Sequence, residues 1–90
     1  MNHLSQTRQF VRDVRRMWKR EKELAKLKVV VERLARGESL DAKHRDHPLV
    51  GSWDSCRDCH IEPDWVLIYW TDADSLRLER TGSHGNLFRL

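Results

Sequence analysis

The apolar residues of this chain change their spacing at Gly37, and that change restricts the fold more than any other feature. Before it they recur with a helical period. Phe10, Val14, Met17 and Trp18 fall at i, i+4, i+7 and i+8, one stripe of an amphipathic helix over residues 8–20. Leu24, Leu27, Val31 and Leu34 repeat the pattern and stop at Gly37, which suits the left-handed conformation that ends a helix. Residues 1–37 are thus expected to be mainly helical, two helices forming an antiparallel hairpin with Met17 and Trp18 in its core.

Beyond Gly37 the period shortens. Residues 38–52 read as a loop carrying Asp46, His47, Pro48, Leu49 and Gly51. Residues 53–61, 65–70 and 76–81 read as strands, the middle one dense in β-branched and aromatic side chains. Turns are expected at Glu62-Pro63-Asp64, where proline presets φ, and at residues 71–74. A weaker signal at residues 3–6 allows one more edge strand. Ninety residues hold one domain. The expected class is α+β: a helical hairpin on one face of a small antiparallel sheet, the other face left open as a site. Alternation places Cys56, Asp58 and His60 on one side of the first strand and Arg57, Cys59 and Ile61 on the other, with His60 on the open side.

Charge is unevenly spread. Residues 8–28 carry nine Lys or Arg against Asp13, Glu21 and Glu23, while the rest of the chain is net acidic. A basic helical face including Arg12, Arg15, Arg16 and Lys19 suits a phosphate backbone, although a solvated helix exterior has the same composition. The longest apolar run, residues 65–70, is far below the ~20 residues needed to span a bilayer, and the N-terminus does not resemble a signal peptide. A cytoplasmic protein without membrane contact is expected.

Cys56-Arg57-Asp58-Cys59-His60 matches the haem-attachment pattern, and the two thiols with a histidine could also suggest zinc. Strand geometry opposes both. Residues three apart in a strand point to opposite faces, so Cys56 and Cys59 should not converge on one ion, nor on each other. No haem, metal or other cofactor is expected. His47, His60 and His84 instead lie near turns or strand ends, together with Asp64 and Arg80. Imidazoles to trade protons, a carboxylate to orient them and a guanidinium to bind phosphate are what phosphodiester cleavage needs. A basic RNA-binding or repressor module without chemistry is the alternative, and a Cys/His metal-binding protein a more distant one.

Three separated motifs carry a resemblance. Asp46-His47-Pro48-Leu49, His60-Ile61-Glu62-Pro63-Asp64-Trp65 and Glu79-Arg80-Thr81-Gly82-Ser83-His84, followed by Leu87-Phe88, are similar in order and spacing to the YafQ-like toxins of the RelE superfamily, over about residues 38–88. The resemblance implies the toxin of a type II toxin–antitoxin system, a ribosome-dependent endoribonuclease cutting messenger RNA in the A site and silenced by a cognate antitoxin. By the same resemblance His47, His60, Asp64 and His84 are the proton-transfer and orienting groups, with His60 and Asp64 as base or orienting pair and His84 as acid. Arg80 becomes the phosphate clamp, Phe88 a platform near the scissile nucleotides, and Trp65 a supporting or RNA-contacting residue. The chain departs from the pattern at Cys56, where tyrosine is common, and at Trp70, where lysine is common.

Overall fold

Thr7 sets the first helix. Its hydroxyl oxygen accepts from Phe10 N at 3.0 Å, capping the helix, and its O–H donates to Glu79 O at 2.7 Å, tying the helix start to a distant strand. The structure, a computed structural model, describes residues 3–88. Strand β1 (His3–Gln6) precedes this cap; helices α1 (Arg8–Lys19) and α2 (Leu24–Ala35) follow it. Both helices end the same way, with N–H groups of the two following residues folding back onto the last turn. Gly37, at φ +74°, makes the second ending, as its position predicts; Glu21 makes the first at φ +61°, where a glycine would be unstrained.

The remaining strands are β2 (His47–Pro48), β3 (Arg57–Glu62), β4 (Trp65–Thr71) and β5 (Ser75–Ser83), followed by a short helix α3 (His84–Phe88). They form one sheet in the order β1-β5-β4-β3-β2. The expected antiparallel meander is its centre. Two edges extend it: β1 joins β5 in parallel, and β2, which lies in the segment expected to be loop, pairs His47 with Asp58 and Pro48 with Arg57. Trp53, expected to begin a strand, instead ends a 3-10 turn of residues 51–53, and the strand starts at Arg57.

One sheet face packs on α1 and α2 through Phe10, Met17, Leu27, Val30, Leu34, Cys59, Trp65, Leu67, Tyr69, Leu76 and Leu78. Cys56, Val66, Ile68 and Leu87 cluster on the other face, so α3 and the residues around Trp53 cover part of the side expected to be open. The expected core needs one correction. Trp18 is 68% exposed, because the buried line of α1 runs through Phe10, Asp13 and Met17. At about 100° per residue, an inward face turned toward Asp13 carries Trp18 out to solvent. Among the described residues no helix is long and apolar enough to cross a membrane.

Candidate active site on the second sheet face

Cross-strand pairing brings the site together. His47, Asp58, Ile68 and Arg80 are successive partners across β2, β3, β4 and β5, and His60, Val66 and Gly82 form the adjacent row. Paired residues share a sheet face, so both rows lie on the side away from α1 and α2. Arg80 reaches this face only through a bulge. Leu78 pairs with Tyr69 and Arg80 with Ile68, so the extra residue Glu79 inverts the alternation; without it Arg80 would follow Leu76 and Leu78 toward the helices. A second irregularity between His60 and Glu62 turns Glu62 toward Lys22 and Lys26, which bond its carboxylate at 3.1 and 2.9 Å.

His84 opens α3 immediately beyond β5. Its ring lies 6.4 Å from that of His60, nearly parallel to it, and 4.7 Å from that of Phe88. Leu87 of α3 packs over Gly82, where an added Cβ would stand 3.5 Å away, in ordinary van der Waals contact. His60 directs Nδ1 at the Pro63 carbonyl at 3.1 Å, and His47 directs Nδ1 at the Arg45 carbonyl at 2.6 Å. Because a carbonyl only accepts, both rings hold a proton on Nδ1, and each neutral ring keeps its lone pair on Nε2.

Asp58 is the functional candidate that sequence reasoning missed. It is 1% exposed, and its Oδ1 stands 3.0 Å from His47 Nε2, at ion-pair distance but without hydrogen-bond alignment; this oxygen accepts no hydrogen bond among the described residues. Burial pushes the carboxyl above the ordinary carboxylate value; charges on His47, His60 and His84 pull it back, and Asp46 adds to the rise. With His47 Nδ1 committed to Arg45, Nε2 is the ring nitrogen that faces this carboxyl. Alternation already placed Asp58 beside His60, but a strand pattern does not reveal that a carboxylate is buried.

The other expected residues divide. Asp64 is exposed in the β3–β4 turn and its side chain makes no hydrogen bond or ion pair among the described residues, so the expected His60–Asp64 pair is not formed here. Trp65 is fully buried on the helix-packed face, its Nε1 donating to Thr81 Oγ1 at 2.9 Å, which excludes an RNA contact and leaves the supporting role. Arg80 donates Nε and Nη2 to Asp13 at 2.6 and 3.2 Å. Arg12, Arg15, Arg16 and Lys19 line a groove of about 320 Å³ along α1. His44, outside the expected set, directs Nδ1 at the His60 carbonyl at 2.6 Å. Asp46, the first residue of its motif, accepts from Tyr69 Oη at 2.7 and 2.8 Å and from Arg57 Nε at 3.2 Å, which fastens the segment that carries His47.

The cysteines lie as strand geometry predicts. Cys59 belongs to the core under the helices and Cys56 to the cluster on the other face, so the two cannot hold one ion together. Burial pushes both thiols above their ordinary value. A larger cavity of about 600 Å³ lies between α2 and residues 43–45, with Val29, Val30 and Ile61 in its wall; of the site residues only His60 borders it.

The sequence and the fold both have counterparts among known proteins. The chain is 47% identical over 81 residues to the mRNA interferase toxin YafQ of Escherichia coli K12, covering 89% of this chain and 88% of that one. Its fold matches YafQ in the crystal structure of the E. coli DinJ–YafQ complex with a TM-score of 0.92 and 43% identity, over 98% of this chain and 99% of that one. A metal-bound toxin from Helicobacter pylori matches with a TM-score of 0.89 and 36% identity, over 98% and 100% of the two chains. The family described as the bacterial toxin of type II toxin–antitoxin systems, YafQ, matches residues 2–89, nearly the whole sequence, and the chain therefore belongs to the YafQ family of toxins.

Proposed function

We propose that this protein is the toxin of a type II toxin–antitoxin pair and an endoribonuclease that cleaves messenger RNA, acting on the ribosomal A site in the cytoplasm. The observation that carries the reading is the convergence of His47, Asp58, His60 and Arg80 in two adjacent rows of one sheet face, with His84 stacked over His60. The curated relative bears the name mRNA interferase toxin, and the solved relative is bound to DinJ, which supports a cognate antitoxin as partner here. The cationic groove of α1 supports a contact with ribosomal RNA.

The chemistry that fits is transesterification. His60, with its lone pair on Nε2, removes the proton from a 2′-hydroxyl; the oxygen attacks the adjacent phosphorus; His84 gives a proton to the departing 5′-oxygen. The products are a 2′,3′-cyclic phosphate, or its hydrolysed form, and a 5′-hydroxyl. Proton transfer by two placed groups of this kind contributes typically ~10²–10⁴-fold each. His47, beside the Asp58 carboxyl, faces the reacting phosphate, Arg80 neutralises its charge, Phe88 supports a neighbouring base, and Asp64 approaches only when RNA is bound. This scheme needs no metal. The metal-bound H. pylori relative motivates the opposite, ion-holding scheme, although among the described residues no group of three or more His, Cys, Asp or Glu stands where it could hold a metal ion.

Inducing the chain in bacteria and mapping new 5′ ends on messenger RNA tests the reading. Arrested growth with cuts phased to codons is expected, and the His60→Ala chain should give neither. Intact transcripts under growth arrest would favour a non-catalytic RNA-binding module, the reading that the α1 groove alone would support.

A further inference from the structure

Asp13 is the one acidic residue of α1, among Arg8, Arg12, Arg15, Arg16 and Lys19, and it is 1% exposed. Its carboxylate accepts three N–H groups: Arg80 Nε at 2.6 Å, Arg80 Nη2 at 3.2 Å and the backbone N of Thr81 at 3.1 Å. Arg16 Nη1 stands farther off at 3.7 Å, on a side chain that is 58% exposed. A guanidinium carries five N–H donors, so the Nε–Nη2 edge is engaged while both hydrogens of Nη1 and one of Nη2 remain. The Arg80 side chain keeps 25% of its surface exposed.

We propose that Asp13 is a positioning residue for the cleavage reaction, holding Arg80 by one guanidinium edge so that the other edge meets the scissile phosphate. The inference rests on the reading of Arg80 as the phosphate-binding group. Three features carry it. The Glu79 bulge sends Arg80 to the site face while Thr81 N points to α1, and Asp13 bonds both, so one carboxylate fixes the bulge and the side chain that the bulge redirects. Docking α1 on β5 does not require a buried charge, because Thr7 already joins the helix start to Glu79 O through a neutral hydroxyl. Removing a carboxylate from water is costly and is offset only by close, multiple hydrogen bonds, which this site supplies. An arginine held this way has lost its rotamer freedom before RNA arrives, and planar pairing on one edge orients the opposite edge.

The test is single-turnover cleavage of messenger RNA on programmed ribosomes by the wild-type chain, Asp13→Asn, Arg80→Lys and the double variant, with melting temperatures for each. Arg80→Lys keeps a cation beside Asp13 but has no second edge. Both single variants should lower the rate at saturating ribosome by ~10–10²-fold with little change in the half-saturating concentration. The double variant should be no slower than Arg80→Lys, because Asp13 acts only through Arg80. A wild-type rate for Asp13→Asn, or independent losses that multiply in the double variant, would overturn the proposal while leaving Arg80 in place. A wild-type rate for Arg80→Lys would remove the role of Arg80 and this inference with it. If Asp13→Asn melts below the assay temperature, Asp13→Glu keeps the charge, displaces the guanidinium by one methylene and carries the same expectations.

Discussion

His84 begins α3 with its ring between those of His60 and Phe88, outside the packed core. His84→Ala is therefore expected to lose ~10²–10⁴-fold in cleavage rate with a stability change below ~0.5 kcal/mol, measured by single-turnover cleavage and thermal melting. The histidine control must be His3, on the exposed edge strand, because His44 bonds the His60 carbonyl and its loss would disturb the site. Wild-type cleavage by His84→Ala would remove it from the mechanism. Asp58 gives an opposite pairing of effects. Its carboxyl binds a proton more tightly in the folded chain than in the unfolded one, so ionising it weakens the fold as pH rises through and above the ordinary carboxylate range. Asp58→Asn should accordingly cleave slowly yet melt higher than wild type at neutral pH, with the difference shrinking as pH falls through that range. A melting difference independent of pH would show that Asp58 is not held as a buried acid.

At the scale of the element, α1 does two things with two faces. Phe10, Asp13 and Met17 face inward, while Arg12, Arg15, Arg16 and Lys19 line the outer groove. Neutralising Arg12, Arg15 and Lys19, which spares the Arg16 neighbour of Asp13, should weaken ribosome binding at low salt. The slope of log affinity against log salt should fall by about 0.7–0.9 for each phosphate that the variant no longer neutralises, with the melting temperature nearly unchanged. Unchanged binding at low salt would assign the groove to another partner. Trp18 separates the helical stripe from the true core: a buried tryptophan costs ~3–5 kcal/mol when truncated, whereas this one, 68% exposed, should cost less than ~1 kcal/mol in a denaturant titration of Trp18→Ala. A destabilisation of the larger size would place it back in the core.

For the whole molecule, the decisive chemical question is whether imidazole, carboxylate and guanidinium suffice. Cleavage on ribosomes whose magnesium is maintained should survive a chelator selective for transition metals, and the purified toxin should bind no stoichiometric zinc or copper; loss of activity restored by added metal would revive the ion-holding scheme. Helices α1 and α2 and the three central strands were legible in the sequence because both rest on local periodicity, whereas the short α3 was not, and Gly37 ended its helix because backbone conformation is a local property. Alternation likewise placed His60 and Asp58 on one face and separated Cys56 from Cys59. The three motifs identified the family, and of the residues in the two rows they carry His47, His60, Arg80 and Gly82 but not Asp58. Tertiary structure alone decided the rest. The Glu79 bulge reversed the direction of Arg80, the contact with Arg80 and Thr81 turned α1 so that Asp13 went inward and Trp18 outward, and pairing with β3 made a strand of His47–Pro48. Each of these depends on residues far apart in the chain, up to 68 positions between Asp13 and Thr81, and a periodic pattern read along one segment has no access to the partner that completes it.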